Sequence, residues 1–235
     1  MRKVVPSFLT SMNLLAGFWA LLADDPSTSF WLVCIGIGFD FVDGLSARLL
    51  KVPSLFGKEL DSLADMVSFG VVPGYLYSHH VFFHQGPEFP AIPELLVCSL
   101  MPVCAGLRLA KFNVGQSKFK GFSGLPSSAA ALMIISIPFL AHQANYAWLE
   151  QLLEENFWVK MGLPVVMSLL MVLPIEMFSF KHLKEGWKAN WLQLAYLLMV
   201  IVLSIFGGFL MLPGSILLYI LISVLLFVGR KIFQE

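Results

Sequence analysis

The chain has 235 residues, 58% of them hydrophobic and 13% charged, with a mean hydropathy of +0.80. Soluble domains carry roughly 25% charged residues, so this composition excludes an ordinary soluble domain and implies one membrane domain over residues 1–235. The 15 basic and 15 acidic residues cancel, which leaves no global field to draw in nucleic acid.

Apolar segments fall at 8–23, 29–50, 62–84, 91–110, 126–144, 158–179, 190–209 and 211–229. Each is close to the roughly 20 residues that cross about 30 Å of hydrocarbon as a helix. The expectation is an all-α integral membrane protein with about eight transmembrane helices and both termini cytoplasmic. The first segment has the basic and apolar regions of a signal peptide, but its length, Asn13 and the lack of an A-x-A site predict an uncleaved helix. Gly207, Gly208 and Pro213 mark a tight turn before the last helix.

Basic residues test this count, because Lys and Arg collect on the cytoplasmic side of a membrane. With the amino terminus inside, Arg2, Lys3, Arg48, Lys51, Lys58, Arg108, Lys111, Lys118, Lys120, Lys181, Lys184, Lys188, Arg230 and Lys231 all fall inside. Only Lys160 falls outside, where Asp24, Asp25, Glu88, Glu94, Glu150, Glu154 and Glu155 collect.

One stretch carries charge where charge is expensive. Asp40 and Asp43 lie three residues apart near the cytoplasmic end of helix 2, and Asp61 and Asp65 lie four apart at the start of helix 3. Such spacings share a helix face, so a short turn between the helices makes a cage of four carboxylates. Each charge at membrane depth costs at least about 2.5 kcal/mol, and four like charges repel, so the cage calls for cations. All-oxygen sites suit Mg²⁺ or Mn²⁺, and two such ions about 3.5 to 4 Å apart would serve a displacement at phosphorus. Gly44 and Ala47 leave room beside the pair on helix 2, and Arg48 offers a fork of donors suited to phosphate. Phosphoryl-type chemistry at the cytoplasmic membrane surface follows.

Other polar features have ordinary explanations. His79, His80 and His84 sit at the outer end of helix 3 without a carboxylate arranged beside them. Glu176 fits a pairing with Lys181 or another basic end group, and the six tryptophans fit an interfacial belt. Cys34, Cys98 and Cys104 have no metal or redox spacing and read as packing residues. Asn13 is a buried polar group in an apolar helix and faces either the aspartate cavity or a neighbouring helix.

Written out, the stretch is Asp40, two residues, Asp43-Gly44, two residues, Ala47-Arg48, eight residues, Gly57, three residues, Asp61, three residues, Asp65. This resembles the full signature of the CDP-alcohol phosphatidyltransferase family, membrane enzymes that move a phosphatidyl group from a cytidine diphosphate lipid to an alcohol and release CMP. The resemblance implies that Asp40, Asp43 and Asp61 hold the metals. Asp65 completes the site and acts as base for the attacking hydroxyl, while Gly44, Ala47, Arg48 and Gly57 surround the CDP moiety. GKELDSLADMVSFGVVP, LRLAKFNV and FSGLPSSAAA resemble the members that use CDP-diacylglycerol as donor and L-serine as acceptor. Ser7, Ser128 and Lys111 depart from the residues expected in those relatives, namely Asn, Pro and Arg. The likeness further implies a homodimer in the inner membrane with its site open to the cytoplasm. Serine needs cations for its carboxylate, for which Arg108, Lys111 and Asn113 are the candidates; Lys118 and Lys120 fit lipid headgroups better. Alternatives are a sister transferase with another acceptor or an archaeal-type lipid donor, and, from another class, a divalent-cation transporter.

Overall fold

A helical hairpin begins the computed structural model, which describes residues 4–52, 54–82, 92–114, 122–177 and 208–232. Helices α1 (Val4–Leu22) and α2 (Pro26–Leu49) are joined by a turn whose end is set by Asp25. Its carboxylate accepts from Thr28 N at 2.8 Å and Thr28 Oγ1 at 2.9 Å, and Pro26 follows in the first turn, where its missing N–H is not needed. Those bonds hold the Asp25 carboxyl below its ordinary value, led by the backbone N–H of Thr28.

At its far end α2 closes on Lys51, whose φ of 54° is left-handed. Lys51 N donates to Arg48 O and Val52 N to Ala47 O, both at 3.2 Å, the paired bonds of a Schellman closure. Ser54 then caps α3 (Leu55–Met66), its Oγ accepting from Gly57 N at 3.0 Å. The helix therefore starts at Leu55, seven residues before the predicted segment at 62, because a capped polar turn is helical although it is not apolar.

The run continues through a π-helical turn (Val67–Val71), α4 (Val72–Tyr77) and a second π turn (Ser78–Phe82). Pro73 cannot donate to the carbonyl four residues back, and the helix widens just before it. Close packing adds a second constraint. A Cβ on Gly70 would lie 2.9 Å from Ala105 Cβ, and one on Gly74 would lie 2.8 Å from Cys98 O, so this run meets α5 (Ile92–Asn113) almost backbone to backbone.

Strands β1 (Phe122–Ser123) and β2 (Glu176–Met177) form a two-residue antiparallel ladder. Between β1 and α6 (Ser127–Ala141), Gly124 has φ of 83°, and a Cβ there would sit 2.2 Å from Met171 O. Helix α6 is buried on nearly every side, with Ala130, Ile134 and Leu140 at zero exposure. It is the central element, packed on α4, α8 (Phe157–Val172) and α9 (Met211–Ile232). Beyond it the chain bends by 101° into α7 (Ala147–Glu155).

Among the described residues, four helices are long and apolar enough to cross a membrane, and five if the bent α6–α7 pair forms one span. The predicted segments 8–23, 29–50, 91–110, 126–144 and 211–229 correspond to α1, α2, α5, α6 and α9. Segment 158–179 stops early, at Val172, where β2 must be reached. Most of segment 190–209 lies outside the described residues, as do His84, Lys118, Lys120, Lys181 and the Glu176 side chain.

Candidate active site

The predicted aspartates converge from two helices. One carboxylate oxygen from each of Asp40 on α2 and Asp61 and Asp65 on α3 lies within 4.8 Å of the other two. The five-residue connection between α2 and α3, which contains Lys51 and Ser54, brings the two faces together. Asp43 stands to one side: it is 4% exposed and accepts a hydrogen bond from Thr10 Oγ1 on α1. Three residues advance a helix by about 300°, and the remaining offset is enough to aim Asp43 at α1 while Asp40 faces α3.

The fit of this group to a divalent cation follows from its own atoms. Three carboxylates crowd together, and Asp61 Oδ1 is buried with no hydrogen-bond partner. Buried anionic oxygens without donors are costly unless a charge compensates them. An all-oxygen donor set of this kind suits a hard cation.

Helix α1 supplies contacts that extend the site. Asn13, at zero exposure, donates from Nδ2 to Asp65 Oδ1 at 3.4 Å. Its backbone carbonyl accepts from Ser68 Oγ in the π turn at 3.2 Å. Asn13 thus faces the aspartate group, one of the two orientations open from the sequence.

The CDP-binding candidates divide into two kinds. Around Gly44 nothing lies within 4 Å of the position a Cβ would take, so the α2 face beside Asp40 is open, and Arg48 one turn on is exposed. Ala47 is partly buried between them. Gly57 has a local reason to be small, because a Cβ there would sit 2.9 Å from the capping Ser54 Oγ.

The cationic candidates line the end of α5. Arg108 is partly buried, donates from Nη1 to Ser127 Oγ at 3.4 Å and keeps a buried Nε with no partner. Lys111 is exposed. Asn113 uses its amide on α3, donating to Ser62 Oγ at 2.8 Å and Glu59 Oε2 at 3.4 Å, while its own carbonyl accepts from Lys58 Nζ at 3.4 Å. Its remaining atom, Oδ1, is buried without a partner.

Thr10, Ser68 and Ser127 are the site residues that sequence reasoning did not single out. A faint signal existed for Thr10, three residues before Asn13 and hence on its face.

Comparison with known proteins bears on this geometry. The CDP-alcohol phosphatidyltransferase family profile matches residues 3–165, which include every aspartate and α5. The chain is 35% identical over 193 residues to the CDP-diacylglycerol–serine O-phosphatidyltransferase of Helicobacter pylori, covering 79% of this chain and 77% of that one. The protein of the same name from Methanocaldococcus jannaschii is 37% identical over 136 residues, 57% of this chain and 61% of that one. The Bacillus subtilis protein is 36% identical over 139 residues, 57% of this chain and 75% of that one.

Proposed function

Because the chain belongs to the CDP-alcohol phosphatidyltransferase family, we propose that it transfers the phosphatidyl group of CDP-diacylglycerol to the hydroxyl of L-serine and releases CMP. The observation that carries this is the convergence of Asp40, Asp61 and Asp65 in a chain 35% identical to a serine-using relative across 79% of its length.

In the proposed reaction the seryl oxygen forms a bond to the phosphorus that bears diacylglycerol. The bond from that phosphorus to the oxygen of the departing CMP breaks. Asp65 accepts the seryl proton, since a base must lie within hydrogen-bond reach of the hydroxyl it activates. Asp40, Asp43, Asp61 and Asp65 would hold Mg²⁺ or Mn²⁺, with two ions expected, and bound cations would neutralise charge on the diphosphate and on the leaving CMP. Gly44, Ala47, Arg48 and Gly57 would line the donor nucleotide; the open face at Gly44 supports this. Arg108 would take the serine carboxylate, for which a guanidinium fork is suited, and its unpartnered Nε supports that role. Lys111 would add charge at the entrance. Asn113 retains only Oδ1 for a ligand, because its amide holds α5 against α3.

The protein is integral to a membrane, and we assign it to the cell membrane with eight spans, both termini cytoplasmic and the site facing the cytoplasm. Arg48, Lys51 and Lys58 flank the aspartates in sequence, and Arg108 and Lys111 lie at the end of α5 that Asn113 bonds to α3, which supports that orientation. A homodimer is the family expectation, which light scattering on the solubilised protein tests.

The deciding experiment incubates purified protein with CDP-diacylglycerol, Mn²⁺ or Mg²⁺ and a panel of alcohols, and measures CMP release. Serine-dependent release is expected. Release with another alcohol alone would move the chain to a sister transferase, and none with any acceptor would remove the transferase activity.

A further inference from the structure

The mechanism above makes no use of the two polar side chains of α1 that face the aspartates. Thr10 and Asn13 are three residues apart, hence on one face, and are 2% and 0% exposed. Neither can touch a substrate from that depth. Each instead reaches one aspartate on a different helix: Thr10 Oγ1 meets Asp43 Oδ2 on α2, and Asn13 Nδ2 meets Asp65 Oδ1 on α3.

We propose that α1 is a positioning helix for the carboxylate group, with Thr10 and Asn13 each holding one oxygen of Asp43 and Asp65 so that the other oxygen stays turned toward cation and substrate. The proposal rests on the transferase assignment for its chemistry but not for its geometry.

Three observations carry it. Thr10 Oγ1 also lies 3.0 Å from Pro6 O, the usual resting partner of a helical threonine. One hydroxyl has one proton, and a carboxylate is the stronger acceptor, so the proton goes to Asp43. Asn13 is packed against both neighbours: its Oδ1 lies against the backbone of α2 at Gly36, where a Cβ would stand 3.1 Å away, and has no hydrogen-bond partner, while its backbone carbonyl accepts from Ser68 Oγ, so Asp65 is the side chain's one bonded partner among the described residues. Turning the amide over would set oxygen against the Asp65 carboxylate. Finally, α1 fits too closely for the clamp to shift: a Cβ on Gly17 would lie 2.6 Å from Ser68 Oγ, so α1 and the π turn after Asp65 touch at that point.

Partners that orient metal ligands typically change metal affinity or activity by about 10- to 100-fold when removed. The test uses the full-length protein in detergent, with Mn²⁺ binding read by electron paramagnetic resonance and turnover read as CMP release. Thr10→Val keeps the shape of the side chain and removes the hydroxyl; it is expected to weaken Mn²⁺ binding by about tenfold or more. Thr10→Ser restores the hydroxyl and should bind within about threefold of the parent, a recovery that loss of packing would not give. Should Thr10→Val fail to give monodisperse protein, Thr10→Ala reads the same loss. Asn13→Leu should lower kcat by about tenfold or more while the KM for CDP-diacylglycerol changes little. Parent-like Mn²⁺ binding in Thr10→Val, equal weakness in Thr10→Ser and Thr10→Val, or parent-like kcat in Asn13→Leu would overturn the proposal. If the parent binds Mn²⁺ but releases no CMP with serine, the transferase assignment fails, and the Thr10 series still decides the positioning role.

Discussion

Asn113 at the end of α5 donates to Ser62 Oγ on α3 at 2.8 Å, tying the helix of the cationic candidates to the helix of Asp61 and Asp65. A hydrogen bond of this kind contributes about 1 kcal/mol, and more when its loss strands a buried partner. Asn113→Ala should therefore lower the thermal midpoint of the solubilised protein by a few degrees. Its effect on the KM for serine should be smaller than that of any change at Arg108, and serine titrations on both variants compare them directly.

Arg108→Lys keeps the charge and loses the bidentate fork. The KM for serine is expected to rise by about tenfold, since charged hydrogen bonds contribute roughly 1.5 to 3 kcal/mol, while the KM for CDP-diacylglycerol stays within about twofold. An unchanged serine KM would remove Arg108 from acceptor recognition.

Asp65→Asn removes the proposed base with almost no change of shape. Serine-dependent CMP release should fall by at least about 100-fold, the scale of a lost general base, with CDP-diacylglycerol still bound in an equilibrium assay. Normal turnover in this variant would end the base assignment.

Lys51 adopts φ of 54° in the turn between the two aspartate-bearing helices. A left-handed non-glycine residue costs roughly 1 kcal/mol, so Lys51→Gly should raise the thermal midpoint modestly without lowering turnover. A fall in stability would mean that the Lys51 side chain makes a contribution larger than this strain.

Asp25→Ala should cost about 1 kcal/mol as the loss of a helix N-cap. The carboxyl is held below its ordinary value by Thr28, so its stabilisation is complete above the unfolded-state pKa and is lost as pH falls through the native one. Melting the parent and Asp25→Ala from neutral to acid pH should show the two curves converging at the acid end.

Much of this site was legible because charge in an apolar sequence is conspicuous. The four aspartates and Arg108 stand out by cost alone, and Asn13 does so more faintly. The hydroxyls did not, for a physical reason: a serine or threonine in an apolar helix can satisfy itself on the carbonyl four residues back, as Ser99 does on Leu95 O at 2.6 Å and Ser223 on Tyr219 O at 2.7 Å. Thr10 and Ser127 have the same composition signal as these local bonds and differ only in what the fold brings near them. The division of the four carboxylates into three plus one was equally hidden, because face sharing at a spacing of three is approximate. Helix α3 began earlier than its hydropathy implied, since hydropathy marks the lipid-facing length and Ser54 marks the helical one.

The order in which these parts lie along the chain has a biosynthetic consequence. Thr10 precedes Asp43 by 33 residues and Asn13 precedes Asp65 by 52. Synthesis runs from the amino terminus, so the hydroxyl and the amide are made before the carboxylates that they meet. An aspartate arriving alone in lipid would be expelled or protonated; one arriving beside a waiting donor has somewhere to go. In the sequence, the donors on α1 thus precede the carboxylates that they meet in the folded chain.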